Sequence, residues 1–355
     1  MAEDRVLALG IETSCDDTGC AVVDSDGRVL ATVVSSQLAA HRPYGGVVPE
    51  IASREHLRNW PPVSAAALAE AGVTVDDIDV IAATKGPGLV GSLLVGLSVG
   101  KAVAYSLQKS FQAVHHLEGH LYSPFLSTEG RAAEKAPDEF LGLVVSGGHT
   151  SVFEVASGSV ETVAETRDDA MGEVFDKVGK RLGLAYPQGP RVDELAEPGD
   201  SRRFKLAIAR CSDGSLDFSY SGLKSQTLVE IQKLEAAGVE TTLGELEAKA
   251  IPGEVLDLLA GFREAAVGQI VDRLNRIQSQ KPMGLLAVSG GVAANRLLRS
   301  RLEEWAHENR VSLRLVPLAY AGDNAAMIAY AALLRRERGW EDDPLTVDAA
   351  SRISL

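Results

Sequence analysis

A pattern of three apolar strands joined by short polar turns occurs twice in the sequence, and it constrains the fold more than any other feature. Each run is bounded by Gly, Ser or Asp, which is typical of strands connected by tight turns. Because the two copies have the same order of strands and turns, we predict one structural unit in duplicate. The predicted strands are Val6–Ile11, Cys20–Asp24 and Val29–Val34 in the first copy, and Leu141–Val145, Thr150–Val155 and Val160–Ala164 in the second.

Helical and strand patterns alternate after each meander. In the first half they predict a helix at Pro49–Gly72, interrupted at Pro61-Pro62, then a strand at Asp79–Thr84 and a helix at Ser92–Leu107. The second half repeats this alternation and ends in a long helix that starts at Ala325. Meanders followed by alternating helices and strands predict an α/β fold, with a mixed sheet and flanking helices in each half.

The duplicated halves resemble the actin, Hsp70 and sugar-kinase superfamily, which has an RNase H-like fold. The resemblance implies an interdomain nucleotide cleft, into which the Gly-rich turns of both halves point. We therefore expect a first domain at residues 1–135, completed by a C-terminal helix at 325–355. The second domain is expected at residues 136–324, with a mostly helical insertion at about 198–250.

Three glycine-containing turns are candidates for phosphate or nucleoside binding. They are ETSCDDTG in the first meander, SGGHT in the second, and SGGVAANR, in which Asn295 lies at a helix start. Consecutive backbone N–H groups in such turns form anion-binding nests, and a helix N-terminus also favours an anion. The alternatives are ordinary hairpin turns and, for Asn295, a helix N-cap.

Composition limits the class of protein. The chain has 355 residues, a formal net charge of −14 and three cysteines without a CxxC pair. We therefore expect a cytoplasmic protein without a disulfide framework, a signal peptide or a membrane span, since the apolar segment Val90–Leu107 contains Lys101 and is predicted to be a buried helix. An acidic surface repels polyanions, so a nucleic acid would need a local basic patch or a surface completed by partners.

The stretch HHLEGHLYSP contains three of the seven histidines. On a helix, His116 and His120 lie on one face, while Glu118 points to nearly the opposite side. In the zinc-protease motif HExxH the Glu directly follows the first His, so this order argues against such a peptidase. A pair of this kind binds a metal or forms hydrogen bonds in a core. His115 is expected to be structural, and His41, His56 and His307 to lie at the surface or at an interface.

Nine motifs at consistent spacing extend the resemblance to one family. In this order they resemble the bacterial TsaD proteins, the tRNA N6-adenosine threonylcarbamoyltransferases once named O-sialoglycoprotein endopeptidases, over about residues 5–335. The motifs are GIETSCDDTG, YGGVVPEIASREH, GPGLVGSLLVG, HHLEGH, VVSGGHT, EVFDKVGKRLGL, FSYSGLK, SGGVAANR and GDNAAMIAYA.

This resemblance implies a reaction. Threonylcarbamoyl-AMP donates its acyl group to N6 of the adenosine 3′ of the anticodon, position 37, in tRNAs that read codons beginning with A, and AMP is released. The adenine amino group is a poor nucleophile, so the rate must come from positioning and from stabilisation of charge. A kinase-like phosphotransferase of the same superfamily is the alternative.

The family's site residues transfer to matching positions of this sequence. Asp17 matches an acidic position linked to catalysis, which is commonly Glu. The family's PGGP is PQGP here, and many relatives have a basic, Trp-containing tail where this chain has DAASRISL. The matched substrate-binding positions are Val144, Val145, Ser146, Gly147, Gly148, Asp176, Gly189, Asp193 and Asn295.

The resemblance also completes the metal site. Asp323 matches the family's metal position and joins His116 and His120 as the third ligand. Two histidines and one carboxylate with open positions favour one divalent cation per subunit, Fe²⁺ first and Zn²⁺ second. The implied partners are tRNA, threonylcarbamoyl-AMP, a paralogous non-catalytic subunit similar to TsaB, and a small P-loop ATPase similar to TsaE.

Overall fold

The computed structural model describes residues 5–211, 213–244 and 248–355. It divides into two compact units. Unit 1 contains Met1–Asp138 and Val316–Leu355, and unit 2 contains Glu139–Leu315. The sequence predicted the second unit at residues 136–324, whereas in the structure it spans Glu139–Leu315.

Unit 1 is built on a five-stranded mixed sheet in the order β3-β2-β1-β4-β5. The first three strands form the antiparallel meander, and β4 and β5 continue the sheet in parallel to β1. The strands are β1 Leu7–Glu12, β2 Asp17–Asp24, β3 Val29–Ser36, β4 Val80–Gly86 and β5 Ser110–His115, and the helices before unit 2 are α1 Leu38–His41, α2 Pro49–Ala71, α3 Val90–Leu107 and α4 His116–Tyr122.

Unit 2 repeats this architecture. Its sheet has the order β10-β9-β6-β7-β8, again with a three-strand antiparallel meander followed by two parallel strands. The predicted fold class and the duplication are therefore confirmed. The elements are β6 Glu139–Val145, β7 Thr150–Ala156, β8 Ser159–Glu165, α5 Met171–Arg181, α6 Gly189–Ala196, α7 Ser221–Ala236, α8 Gly253–Gln280, β9 Leu285–Ser289, α9 Arg296–Asn309 and β10 Ser312–Leu315.

The last helix, α10 (Ala325–Glu337), belongs to unit 1 and packs on β1, β2 and β4. A Cβ atom at Gly10 would lie 2.1 Å from the carbonyl oxygen of Ala325, so only glycine allows α10 to approach β1 this closely. The start of α10 is thereby held over the first meander. Short 3₁₀ helices lie at Arg42–Tyr44, Val75–Asp77, Ser123–Phe125, Ala248–Ala250, Gly291–Ala294 and Leu318–Tyr320.

Two expectations about helices are wrong. Helix α2 runs without interruption through Pro61 and Pro62. Both prolines are exposed, so the backbone carbonyls that they leave unpaired can bond to water. The insertion at 198–250 is also less helical than predicted: its regular structure is α7 and the 3₁₀ turn Ala248–Ala250, within the residues described there.

Helix α3 buries one face rather than its whole circumference. One third of it is buried, including Leu93, Leu97 and Gly100, and it packs on α2 and β4. Among the described residues it is the one helix with the length and apolar composition of a membrane span, a test that core helices of water-soluble proteins also pass.

Candidate functional site

The histidine cluster lies where β5 ends and α4 begins. His116 and His120 are one helical turn apart, and both rings are buried. The ring centroids lie 4.7 Å apart and the ring planes are nearly perpendicular, at 89°. The sequence-based expectation that these two histidines share one face of a helix is met by this geometry.

Asp323 approaches both histidines from the turn before α10. Its Oδ1 lies 3.5 Å from His116 Nε2 and 3.3 Å from His120 Nε2. The three donor atoms all lie within 4.8 Å of one another. A cation with bonds of about 2.1 Å holds neighbouring ligand atoms roughly 3–3.5 Å apart. The two distances from Asp323 match this spacing, so the three residues are a candidate site for a divalent metal ion with two imidazole ligands and one carboxylate ligand.

Glu12, at the end of β1, contacts the His116 ring on the side away from Asp323. The sequence did not predict this residue. Its Oε2 lies 3.2 Å from His116 Nδ1 and accepts a hydrogen bond from Thr84 Oγ1 at 2.6 Å. Its Oε1 accepts from the backbone N–H of Ser14 at 2.6 Å. A carboxylate on Nδ1 fixes the ring and leaves Nε2 for a metal, as is common behind metal-bound histidines. The sequence feature that could have indicated Glu12 is a charged residue at the end of an apolar strand.

The charges of the site favour a cation. Burial alone lowers the pKa of His116, but the carboxylates of Asp323 and Glu12 outweigh burial and raise the pKa to about 10. Burial lowers the pKa of His120, so that ring is neutral. Two carboxylates thus hold one positive charge between them.

Glu118 lies on the other side of α4, as predicted, and forms a buried ion pair. Its Oε1 accepts from Arg335 Nε at 2.8 Å, and its Oε2 accepts from Arg335 Nη2. Arg335 is in α10, and its Nη1 also donates to the carbonyl oxygen of Ala113 at 3.1 Å. The pair ties the helix that carries the two histidines to the helix that follows Asp323. Glu118 is therefore a structural anchor and not a base beside the metal.

His115 is structural, as expected. Its Nδ1 accepts from the backbone N–H of Leu117 and so caps α4. Because Nδ1 is an acceptor, Nε2 carries the proton and donates to the carbonyl oxygen of Ile353 at 3.1 Å. Burial lowers the pKa of His115 to about 4, so the ring is neutral at physiological pH.

Asp17, the predicted catalytic residue, begins β2 beside the ETSCDDTG turn. Its Oδ1 is buried and has no hydrogen-bond partner among the described residues. Burial raises the pKa of Asp17 to about 6. A carboxylate with a free oxygen and a raised pKa is suited to accept a proton.

Unit 2 contains a separate pocket of about 380 Å³. It brings together five of the nine predicted substrate-binding residues: Gly147, Asp176, Gly189, Asp193 and Asn295. Apolar side chains supply most of the remaining wall, chiefly Phe175, Pro187, Pro190 and Val292, and Arg296 adds a charged residue. A largely apolar pocket with a few polar groups at its rim suits a planar heterocycle attached to a polar group.

The other four predicted residues do not line this pocket. Val144 and Val145 are buried in β6, and the carbonyl oxygen of Val145 would lie 2.3 Å from a Cβ atom at Gly290. Gly290 has a φ of +93°, so glycine is required there both for the backbone conformation and for this close approach. Ser146 and Gly148 complete the turn around Gly147.

Asp176 organises the PQGP segment. Its Oδ1 accepts from the backbone N–H groups of Gln188 and Gly189, at 3.0 and 2.7 Å. The Gln188 side chain, which replaces the family's glycine, is buried and does not line the pocket. The departure from PGGP therefore leaves the pocket wall formed by Pro187, Gly189 and Pro190.

Asp193 and Asn295 share a network with a residue that the sequence did not reveal. Asp193 Oδ1 accepts from Asn295 Nδ2 at 2.7 Å and from Arg263 Nη1 at 3.1 Å. Asn295 Oδ1 accepts from the backbone N–H of Leu298 and caps α9, so the N-cap alternative also holds. The buried Arg263 lies in α8 and fixes the carboxylate of Asp193 at the pocket rim.

The expectation that His41 and His56 lie at the surface or an interface is wrong. Both side chains are fully buried in unit 1 and hydrogen-bonded. His56 has its partners in a distant part of the sequence, at Cys15 and Thr18, whereas His41 is held by the nearby Gln37 and Val48. The exposed His307 agrees with the expectation.

The α/β fold, with one five-stranded mixed sheet in each unit, is shared with solved structures of low sequence identity. HypF of T. kodakarensis is 15% identical with a TM-score of 0.61, over 95% of this chain and 48% of that one. The Acidaminococcus fermentans (R)-2-hydroxyglutaryl-CoA dehydratase component A is also 15% identical, with a TM-score of 0.52 over 93% and 99% of the two chains. At such identities the likeness concerns the fold alone.

Sequence similarity identifies the family. The model of the TsaD family, tRNA N6-adenosine threonylcarbamoyltransferase, matches residues 28–330. The chain is 47% identical to the tRNA N6-adenosine threonylcarbamoyltransferase of Syntrophobacter fumaroxidans, over 98% of this chain and 99% of that protein. The enzyme of the same name from Burkholderia ambifaria is 45% identical over 94% and 93%. The chain belongs to the TsaD family.

Proposed function

We propose that this chain transfers the threonylcarbamoyl group of threonylcarbamoyl-AMP to N6 of adenosine 37 in tRNAs that read codons beginning with A, releasing AMP. The observation that carries the proposal is the family match over residues 28–330. In the reaction, the N6 nitrogen forms a bond to the carbamoyl carbon. The bond from that carbon to the phosphate oxygen breaks, its electron pair leaves with AMP, and N6 loses one proton.

The chain's own residues have distinct parts in this reaction. The pocket of unit 2 binds the adenosine of the donor, with the base against Phe175 and the proline walls, and Asp193 and Asn295 at its rim. Asp17 accepts the N6 proton, for which its free oxygen and raised pKa are suited. Orientation of the two reactants supplies much of the rate, because it removes the entropy cost of bringing them together.

His116, His120 and Asp323 would hold the metal ion, with Glu12 fixing the His116 ring. When bound, a divalent cation supplies Lewis-acid stabilisation of negative charge on substrate oxygens. A site with two histidines and one carboxylate suits Fe²⁺, with Zn²⁺ as the alternative.

Asp176→Ala is expected to weaken threonylcarbamoyl-AMP binding by about 10- to 100-fold without unfolding the protein. The change removes the carboxylate that accepts two hydrogen bonds, from the backbone N–H groups of Gln188 and Gly189, each worth ~1.5–3 kcal/mol. Calorimetric titration of the donor, or of ATP as a stable analogue, measures the effect. Asp176→Asn, which keeps an oxygen acceptor, should lose less, and Asp200→Ala on the exposed surface should lose nothing. Equal affinities for Asp176→Ala and the unchanged protein would refute this assignment.

The partners are part of the proposal. With a net charge of −14, the chain alone is expected to hold tRNA weakly, and a paralogous subunit similar to TsaB and a P-loop ATPase similar to TsaE complete the RNA-binding assembly. The location proposed for this assembly is the cytoplasm, which agrees with the free thiols of Cys15, Cys20 and Cys211.

The isolated chain is expected to show little multiple-turnover activity, even when pure threonylcarbamoyl-AMP and tRNA are supplied. Addition of the two partners should raise turnover by at least about 10-fold, because they supply the RNA contacts that an acidic chain does not. Turnover of labelled donor is measured with each component omitted in turn. Full activity of the chain alone would contradict the partner requirement.

The reaction itself is tested by reconstitution. The chain, its two partners, threonylcarbamoyl-AMP and an unmodified tRNA transcript are incubated, and the nucleosides are analysed by mass spectrometry. Threonylcarbamoyladenosine at position 37 is the expected product, and a transcript with guanosine at that position should remain unmodified. ATP-dependent phosphorylation of a small molecule, without transfer to tRNA, would favour a kinase-like enzyme instead.

A further inference from the structure

The motif YGGVVPEIASREH, which precedes and opens α2, has no part in either the metal cluster or the unit 2 pocket. Its last residue, His56, lies in α2 and is fully buried. Two other buried polar residues, Gln37 and His41, lie in the segment between β3 and this motif. Burial of three polar side chains in one place is costly unless they are hydrogen-bonded, and here each of them is.

The hydrogen bonds run in one direction. The backbone N–H of Val48 donates to His41 Nδ1 at 3.3 Å, so His41 carries its proton on Nε2 and donates to Gln37 Oε1 at 3.2 Å. Gln37 Nε2 in turn donates to His56 Nδ1 at 3.2 Å. His56 therefore also carries its proton on Nε2, and it donates to the carbonyl oxygen of Cys15 at 3.0 Å. In this arrangement each of the two rings accepts at Nδ1 and donates from Nε2.

These hydrogen bonds lead to the turn that contains Asp17. His56 Nδ1 also accepts from the hydroxyl of Thr18 at 2.8 Å, and the backbone N–H of Gln37 donates to the carbonyl oxygen of Asp16 at 3.0 Å. The residues around Asp17 are thus held by the His56 side chain from α2 and by the backbone N–H of Gln37, which directly follows β3. The backbone of the turn is fixed on both sides, while one oxygen of Asp17 remains without a partner among the described residues.

We propose that His56, Gln37 and His41 form a positioning relay that holds the Cys15–Thr18 turn, and with it the Asp17 carboxylate, in the geometry that threonylcarbamoyl transfer requires. This inference rests on the proposed function. All three residues belong to unit 1, and their hydrogen-bond partners among the described residues include none of the metal ligands. Their loss therefore affects the chemical step and not the binding of either group. The first part of the YGGVVPEIASREH motif also contributes to the relay, because the backbone N–H of Val48 fixes the tautomer of His41.

His56→Leu tests the relay directly. Under single-turnover conditions with saturating donor and tRNA, the transfer rate should fall about 10- to 100-fold, as expected for a displaced catalytic group. Metal content and the Kd for threonylcarbamoyl-AMP should stay within about twofold of the unchanged protein, because neither site contacts the relay. His56→Gln, whose amide can both donate to Cys15 and accept from Thr18, should recover most of the rate. Gln37→Leu removes the side chain that connects the two histidines. It is an independent test of the relay if His56→Leu does not fold.

Val63→Ala is the matched control, because Val63 packs in the core from the same helix without touching the relay. It should lower thermal stability and leave the single-turnover rate of the folded protein unchanged. An unchanged rate in both His56→Leu and Gln37→Leu overturns the proposal. A rate loss in Val63→Ala equal to that in His56→Leu also overturns it, since the effect is then one of stability. Absence of transfer by the unchanged protein is a different result, which refutes the proposed function itself.

Discussion

His120→Ala is expected to lose the metal ion and threonylcarbamoyl transfer together, with a rate reduction of at least about 1,000-fold. The reason is geometric: His120 Nε2 and His116 Nε2 both face Asp323 Oδ1, and removal of one imidazole leaves two ligands for the cation. A Lewis acid contributes several kcal/mol to the stabilisation of transition-state charge, and ~4 kcal/mol corresponds to this factor. Metal analysis of the purified protein and single-turnover transfer assays measure the two losses.

Two controls make this result specific to the cluster. Glu118→Gln should keep the metal and cost far less activity than His120→Ala, because Glu118 faces Arg335 and not the metal ligands. His307→Ala, on the exposed face of α9, should change neither metal content nor rate. If His120→Ala keeps both its metal and a near-normal rate, the cluster is structural and its assignment as a metal site is wrong.

Arg335→Met is expected to lower the free energy of unfolding by about 3–5 kcal/mol. The substitution leaves the Glu118 carboxylate buried between α4 and α10 without its partner, and breaking a buried pair from one side costs roughly this much. Urea denaturation followed by circular dichroism measures the change. Arg336→Met, at the adjacent exposed position, is the matched control and should shift stability by less than about 0.5 kcal/mol.

The double variant Glu118→Met/Arg335→Met distinguishes the stability lost with the ion pair itself from the cost of leaving one buried charge without its partner. Apolar residues of similar size often replace a buried ion pair with little loss of stability, so the double variant should be more stable than Arg335→Met alone. A single variant within about 1 kcal/mol of the unchanged protein would show that this ion pair does not hold the two helices together.

Local sequence signals were sufficient for most of the fold. Strands of the two meanders are short apolar runs between turn residues, and the structure places them within a few residues of the predicted bounds. Pro61-Pro62 misled the prediction of α2, because local rules do not show that the affected carbonyls face water. The 198–250 segment was misjudged because its backbone is held by distant residues, for example by Arg273, whose Nη2 donates to the carbonyl of Ala209.

The candidate site was only partly readable from the sequence. His116 and His120 follow from helical spacing, but Asp323 came from the family resemblance, since it is 203 residues from His120. Glu12, Arg263 and Arg335 act through contacts with residues far away in the chain, as in the Arg335–Glu118 pair across 217 positions. No spacing rule connects such residues. Only the folded arrangement shows which charged side chains are buried and what neutralises them.

The modified nucleosides of cellular tRNA test threonylcarbamoyl transfer by this chain most directly. In cells depleted of this chain, mass spectrometry should show a loss of threonylcarbamoyladenosine and a matching rise of unmodified adenosine at position 37. Expression of the unchanged chain should restore the modification, whereas His120→Ala should not. An unchanged level of threonylcarbamoyladenosine after depletion would contradict the proposed function.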